Sequence, residues 1–109
     1  MEYKLPIDPK TLQRVAVEYG TPVYVYDEHE LERRAGNLLQ VFSASIPVFW
    51  LYAVKANDNP HLLERIAGYG FGFDTVSSEE MHLAMRFQPD RNRIFYSENN
   101  ITDEEMEAA

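Results

Sequence analysis

Apolar residues recur along this chain at two different periods, and the change from one to the other outlines the fold. Leu12, Val15, Ala16 and Tyr19 have helical spacing behind Asp8-Pro9, which reads as an N-cap with proline at the first helical position, and Gly20 ends the run. After Thr21-Pro22, the alternating Val23-Tyr24-Val25-Tyr26 predicts a short strand. Asp27 then caps a long helix whose apolar stripe is Leu31, Ala35, Leu38, Leu39 and Phe42, and Pro47 closes the unit.

From residue 48 the pattern becomes regular. Val48-Phe49-Trp50-Leu51-Tyr52-Ala53-Val54 is aromatic and β-branched, about as long as a buried strand, and lies between Pro47 and the turn formers Asn57-Asp58-Asn59-Pro60. Asn59-Pro60 opens a helix with Leu62, Leu63, Ile66 and Ala67, and Gly68, Gly70 and Gly72 break it before Phe71-Gly72-Phe73-Asp74 resumes as strand. Ser77 and Glu80 have the spacing of a capping box, with Met81, Leu83, Ala84 and Met85 behind them. Pro89-Asp90 is a turn, Arg93-Ile94-Phe95-Tyr96 a strand, and Thr102 with Glu105 repeats the capping-box spacing over the acidic Asp103-Glu104-Glu105.

Strand and helix alternating with a repeat of roughly two dozen residues is the rhythm of parallel βα units. The expected fold is therefore α/β: a partial (β/α) barrel of roughly three βα units, with residues 1–46 as a lead-in and 47–109 as the barrel start. The chain stops within its last helix without a C-cap glycine, and a complete eightfold barrel takes ~250 residues, so a piece of something larger is expected. Such a sheet buries one face under its helices and leaves an edge of open backbone groups; alone, it is expected to associate or stay partly molten.

Composition narrows the function classes. With 45% hydrophobic and 13% aromatic residues the chain is globular, and its formal charge of -8 argues against nucleic acid and anionic membrane as partners. There is no cysteine, hence no disulfide framework and no thiolate metal site. The N-terminus has no apolar signal region and no stretch approaches the roughly 18 apolar residues that span a bilayer, so a cytoplasmic protein is the default expectation. His29, His61 and His82 are scattered over helices at no metal-binding spacing; they read as helical surface, and no metal is expected.

Lys55 is the candidate covalent anchor. It follows the apolar run directly, where a strand meets its loop, and in a (β/α) barrel that is the catalytic face. A lysine at pKa ~10.4 is an inert ammonium at neutral pH unless desolvation or a nearby positive charge frees its lone pair, and the aromatic and aliphatic neighbours could supply the first. Taken alone, a strand-end lysine is most often a solvated or snorkelling side chain. Asp74, at the end of the next strand, would face the same way, but it reads equally well as a turn aspartate bonded to its own backbone. The capping box already explains Glu80, and Asn57 and Ser77 are weaker candidates. Gly68-Tyr69-Gly70-Phe71-Gly72 is not a dinucleotide fingerprint and precedes its strand, so it reads as helix termination.

Pro22-Val23-Tyr24-Val25-Tyr26-Asp27, Tyr52-Ala53-Val54-Lys55-Ala56-Asn57, Gly72 to Glu80 and Thr102-Asp103-Glu104-Glu105 occur in an order and spacing that resembles the N-terminal part of the alanine-racemase-like (fold type III) pyridoxal-phosphate decarboxylases. The pattern is most similar to diaminopimelate decarboxylases, and ornithine and arginine decarboxylases share it in general form. The resemblance implies pyridoxal 5'-phosphate as cofactor, held through a Schiff base on Lys55. It further implies Asp74 and Glu80 as nearby acids that could hold the lysine's ammonium, a small amino-acid substrate with meso-diaminopimelate first and lysine as product, and a homodimer. It also implies that the phosphate loop, the acid facing the pyridine nitrogen and the substrate residues lie beyond residue 109, so the 109 residues alone are expected to be inactive. Glu79 stands where the family usually has glycine, and Glu98-Asn99-Asn100 where many relatives have a glycine-containing loop. A non-catalytic, decarboxylase-like binding protein is the alternative from another class.

Overall fold

A computed structural model describes the backbone of residues 6–43, 45–97 and 102–108. Two compact units divide between Leu38 and Leu39.

In the first unit, helix α1 runs Pro9–Tyr19. Asp8 caps it as expected, its carboxylate accepting the Thr11 N–H at 3.0 Å and the Thr11 hydroxyl at 3.1 Å. The Thr11 N–H, chief among several donors, holds the Asp8 carboxyl below its usual range. At the other end Gly20 has φ 81° and donates its N–H to Ala16 O, a backbone setting that suits glycine. Helix α2, Glu28–Ser43, begins where Asp27 Oδ1 accepts the Glu30 N–H at 3.1 Å.

The strand expected at Val23–Tyr26 does not form: the segment belongs to none of the described strands, and Tyr24 is 90% exposed. Alternating Val and Tyr favour a pleated, half-buried surface, but that preference makes a strand only where a second backbone supplies the ladder.

Glu30 is the focus of charge on α2. Its Oε1 lies 2.6 Å from Arg33 Nη2 and 2.8 Å from Arg34 Nε, and its Oε2 accepts from Arg33 Nε at 2.8 Å. These hydrogen bonds, Arg33's first, hold the Glu30 carboxyl down to about 2 from an ordinary 4.5. Because the folded value is depressed, the contribution to stability is present above pH 4.5 and is lost as the pH falls through about 2. Salt screens this exposed cluster and keeps the contribution small. A carboxyl NMR titration should place the Glu30 midpoint near 2 and move it back toward 4.5 in the Arg33→Ala/Arg34→Ala double variant; a midpoint already near 4.5 in the unaltered chain would refute the pairing.

The second unit is built on a parallel three-stranded sheet in the order β1-β2-β3, with β1 Leu51–Ala53, β2 Gly72–Thr75 and β3 Ile94–Tyr96. Helix α3, Pro60–Gly68, joins β1 to β2, helix α4, Ser78–Phe87, joins β2 to β3, and helix α5, Asp103–Ala108, follows β3. This is the expected α/β arrangement of parallel βα units. Asn59 caps α3 through the His61 N–H at 3.0 Å and the Leu62 N–H at 3.4 Å. Gly70, at φ 91°, makes the turn into β2. The side chain of Glu105, and with it the expected capping box on α5, lies outside the described residues.

Strand β1 is shorter than its apolar run predicts. The ladder reaches back to Trp50, whose carbonyl accepts the Gly72 N–H at 2.9 Å, but at Val54 the backbone tightens into a 3-10 turn, Val54–Ala56, closed by Asn57 N–H to Val54 O at 3.1 Å. Local turn formation competes with the ladder there, because Asn57-Asp58-Asn59 favours closure over extension.

Register sorts the side chains onto two faces. Phe73 and Thr75 are fully buried with Leu63 and Ile66 of α3 and Met81 and Ala84 of α4, and burial of this kind stabilises by ~1.5–3 kcal/mol for each large apolar side chain. The opposite face carries Leu51, Ala53, Gly72, Asp74 and Phe95, and among the described residues it stays largely open: Phe95 is 46% exposed. The Phe49 and Phe95 rings meet there at 6.1 Å, while Phe42, Trp50 and Phe71 form a second aromatic chain at 5.3 and 6.3 Å. Arg93 secures the end of the sheet where the strands begin. Its Nη1 donates to Gly70 O at 2.7 Å, and its guanidinium lies 5.1 Å from the centre of the Phe49 ring.

Candidate active site

The opposite end of the sheet, where the strands finish, gathers the polar groups. The 3-10 turn after β1 carries Lys55, while its neighbour Val54 is completely buried. Lys55 itself is exposed, so the desolvation expected from its aromatic and aliphatic neighbours is not provided within the described residues. The reason is geometric: the turn points Val54 into the core, and Leu51 and Phe95 leave the other face open. Among the described residues no hydrogen bond or ion pair engages the Lys55 amine.

Asp74 lies on the neighbouring strand, its Cα paired in register with Ala53, two residues before Lys55. Adjacent strands are about 4.8 Å apart, a separation that a lysine stem can span. Asp74 is half-buried and accepts a hydrogen bond on Oδ1 from the Ser97 hydroxyl at 2.5 Å, so it is not occupied with its own backbone as the turn-aspartate reading required. Ser97 stands one step past β3, where its N–H extends the ladder to Thr75 O at 2.9 Å. Beside it the Thr75 hydroxyl donates to Phe95 O at 2.9 Å.

Glu80 serves the start of α4. Its N–H is bound by Ser77 Oγ at 3.1 Å, and its Oε2 accepts the Val76 N–H at 2.9 Å, a capping box whose return bond reaches one residue further back than the usual one. Asn57 Oδ1 accepts the Asn59 N–H at 3.0 Å, and its carbonyl accepts from the Tyr52 hydroxyl at 3.1 Å. The sheet end thus puts Lys55 on the turn after β1 and Asp74 on the adjacent strand, and leaves Glu80 and Asn57 engaged in local backbone bonds. His29, His61 and His82 are exposed on helices. Among the described residues no group of three histidine or acidic side chains could hold a metal.

Two residues of this region escape a reading by pattern. Ser97 follows its strand and shares the parity of Phe95, a signal that could have placed it on the Asp74 face. Gly72, at the beginning of β2, reads as a helix breaker and strand residue, but the pattern does not show that three neighbours close in on it there.

Lys55 thus offers an amine on the turn after β1, and Asp74 a carboxylate on the adjacent strand. Residues 28–109, most of the chain, match the family described as "Pyridoxal-dependent decarboxylase, pyridoxal binding domain". The chain belongs to that family. Among its relatives are the diaminopimelate decarboxylases of Methanothermobacter thermautotrophicus, 38% identical over 96 residues, and of Aquifex aeolicus, 34% identical over 109 residues. These alignments take in 87% and 97% of this chain but only 22% and 25% of the relatives, so the chain spans about a quarter of their length. Among solved structures, diaminopimelate decarboxylase from M. jannaschii in co-complex with L-lysine superposes with a TM-score of 0.77 at 29% identity, over 87% of this chain and 24% of that one. Lysine decarboxylase from Selenomonas ruminantium shares the fold at a TM-score of 0.79 and 24% identity, over 99% of this chain and 28% of that one.

Proposed function

We propose that this chain is the N-terminal part of a pyridoxal-phosphate-dependent amino-acid decarboxylase acting on meso-diaminopimelate to give L-lysine and carbon dioxide. The observation that carries the reading is Lys55: an unengaged amine on the turn ending β1, beside the strand of Asp74, in a chain of the pyridoxal-binding family. The substrate follows the two sequence relatives named above, both diaminopimelate decarboxylases, and the M. jannaschii diaminopimelate decarboxylase structure, a complex with L-lysine.

Lys55 would hold the cofactor covalently, and Asp74 would receive the lysine's ammonium when the substrate amine takes its place. Pyridoxal phosphate, when bound, supplies the electron sink for breaking the bond between Cα and the carboxylate. The chain's own contribution is to deliver one amine from a rigid sheet end, because Val54 is locked in the core next to it. Asp74 offers fixed negative charge across the strand gap. Glu80 is given a lesser part, holding the start of α4 so that the loop after β2 keeps its shape. The 109 residues by themselves are proposed to be inactive, and the full-length protein to be a homodimer. Among the described residues no helix is long and apolar enough to cross a membrane.

The test measures carbon dioxide release by the full-length protein from meso-diaminopimelate, lysine, ornithine and arginine. Diaminopimelate should be preferred in kcat/KM by about 100-fold or more, the scale of discrimination that a site hydrogen-bonding a distal polar group can reach. Preference for ornithine or arginine would reassign the substrate, and no release from any of the four would favour a non-catalytic binding protein.

A further inference from the structure

We propose that Ser97 is a positioning residue that sets the Asp74 carboxylate for the Lys55 amine, an inference that rests on the reading of Lys55 given above. Ser97 is held at two points. Its N–H bonds Thr75 O at 2.9 Å, extending the β2–β3 ladder, and its hydroxyl reaches across the sheet end to Asp74 Oδ1. Register puts Ala53, Asp74, Phe95 and then Ser97 on one parity, so the serine hydroxyl and the carboxylate share the open face of the sheet.

A short carboxylate on an open face would otherwise sample several rotamers and turn to water. A hydroxyl hydrogen bond to one oxygen removes that freedom, and a bond to a charged acceptor is stronger than a neutral one. With Oδ1 engaged, Oδ2 is the oxygen left to meet an ammonium arriving from the neighbouring strand. Thr75 reinforces the arrangement, since its hydroxyl bonds Phe95 O and ties the last residues of β2 to β3. No other described side chain is hydrogen-bonded to the Asp74 carboxylate.

The experiment uses the full-length protein and two readouts. The first is the rate at which added pyridoxal phosphate is trapped on Lys55 by borohydride, followed by peptide mapping; the second is kcat and KM for carbon dioxide release. Ser97→Ala should slow trapping and lower kcat, each by about 10-fold, with KM little changed, the size expected for one hydrogen bond to a charged group. Ser97→Thr, which keeps the hydroxyl, should restore both. In an Asp74→Asn background Ser97→Ala should add almost nothing, because the group it positions is gone. Equal slowing in that background, or failure of Ser97→Thr to rescue, would mark a merely structural role and overturn the proposal. Unchanged trapping and kcat in Ser97→Ala would also overturn it while leaving Lys55 in place. Label found elsewhere than Lys55 in the unaltered protein would instead sink the reading on which the proposal rests.

Discussion

Gly72→Ala is expected to destabilise the second unit by about 2–3 kcal/mol, which for a unit of this size lowers the melting temperature by roughly 10–20 °C. A Cβ at this position would lie 2.4 Å from Arg93 O, 2.8 Å from Leu51 Cδ2 and 2.9 Å from Phe49 Cζ. The two side chains could rotate aside, but the carbonyl is backbone at the entry to β3. Moving it means shifting β3 against β2 or releasing the turn that Arg93 closes. Alanine also stiffens the unfolded chain, which returns ~0.4–1 kcal/mol and leaves the net effect strongly unfavourable. Urea denaturation followed by circular dichroism measures it. An unchanged midpoint would show that the sheet has slack at its tightest point and that the Phe49 and Phe95 rings do not need the gap.

The largest effect on activity belongs to Lys55→Ala in the full-length protein. Removing the amine removes the only nucleophile assigned to the cofactor, so the imine absorbance should vanish and kcat should fall by about 10⁴-fold or more. Lys55→Arg should not rescue, since a guanidinium stays charged and cannot condense with an aldehyde. Unchanged turnover with retained imine absorbance in Lys55→Ala would remove this residue from the mechanism and with it the proposed anchor.

Much of the architecture is legible in the residues themselves. Asp8, Asp27, Asn59 and Ser77 each cap the helix they announce, because a short polar side chain before an apolar stripe has few other uses. The three parallel strands follow from runs of β-branched and aromatic residues separated by helical periods. Tertiary partners decide what pattern leaves open. Val23–Tyr26 has the alternation of a strand but joins none of the described ladders, and β1 stops at Ala53 because the turn formers after it win the backbone of Val54–Ala56.

At the site, the place of Lys55 is readable from its position after an apolar run, but its exposure is not. Whether a lysine is dry depends on what packs over its face of the sheet, and among the described residues that face stays largely open while Val54 takes the buried side. Asp74 is readable as a strand-end acid. Its bond to Ser97 is not, because the two are 23 residues apart and meet only once β2 and β3 are in register.

The sheet separates its duties by end. Where the strands begin, Arg93, Gly70, Phe49 and the bare Cα of Gly72 interlock; where they finish, Lys55, Asp74 and Ser97 stand on a surface with little packing to lose. Within the described residues the beginning end therefore carries the tight packing around Gly72, and the finishing end carries the reactive groups. A scaffold divided in this way is free to diversify its chemistry without having to reinvent its foundation.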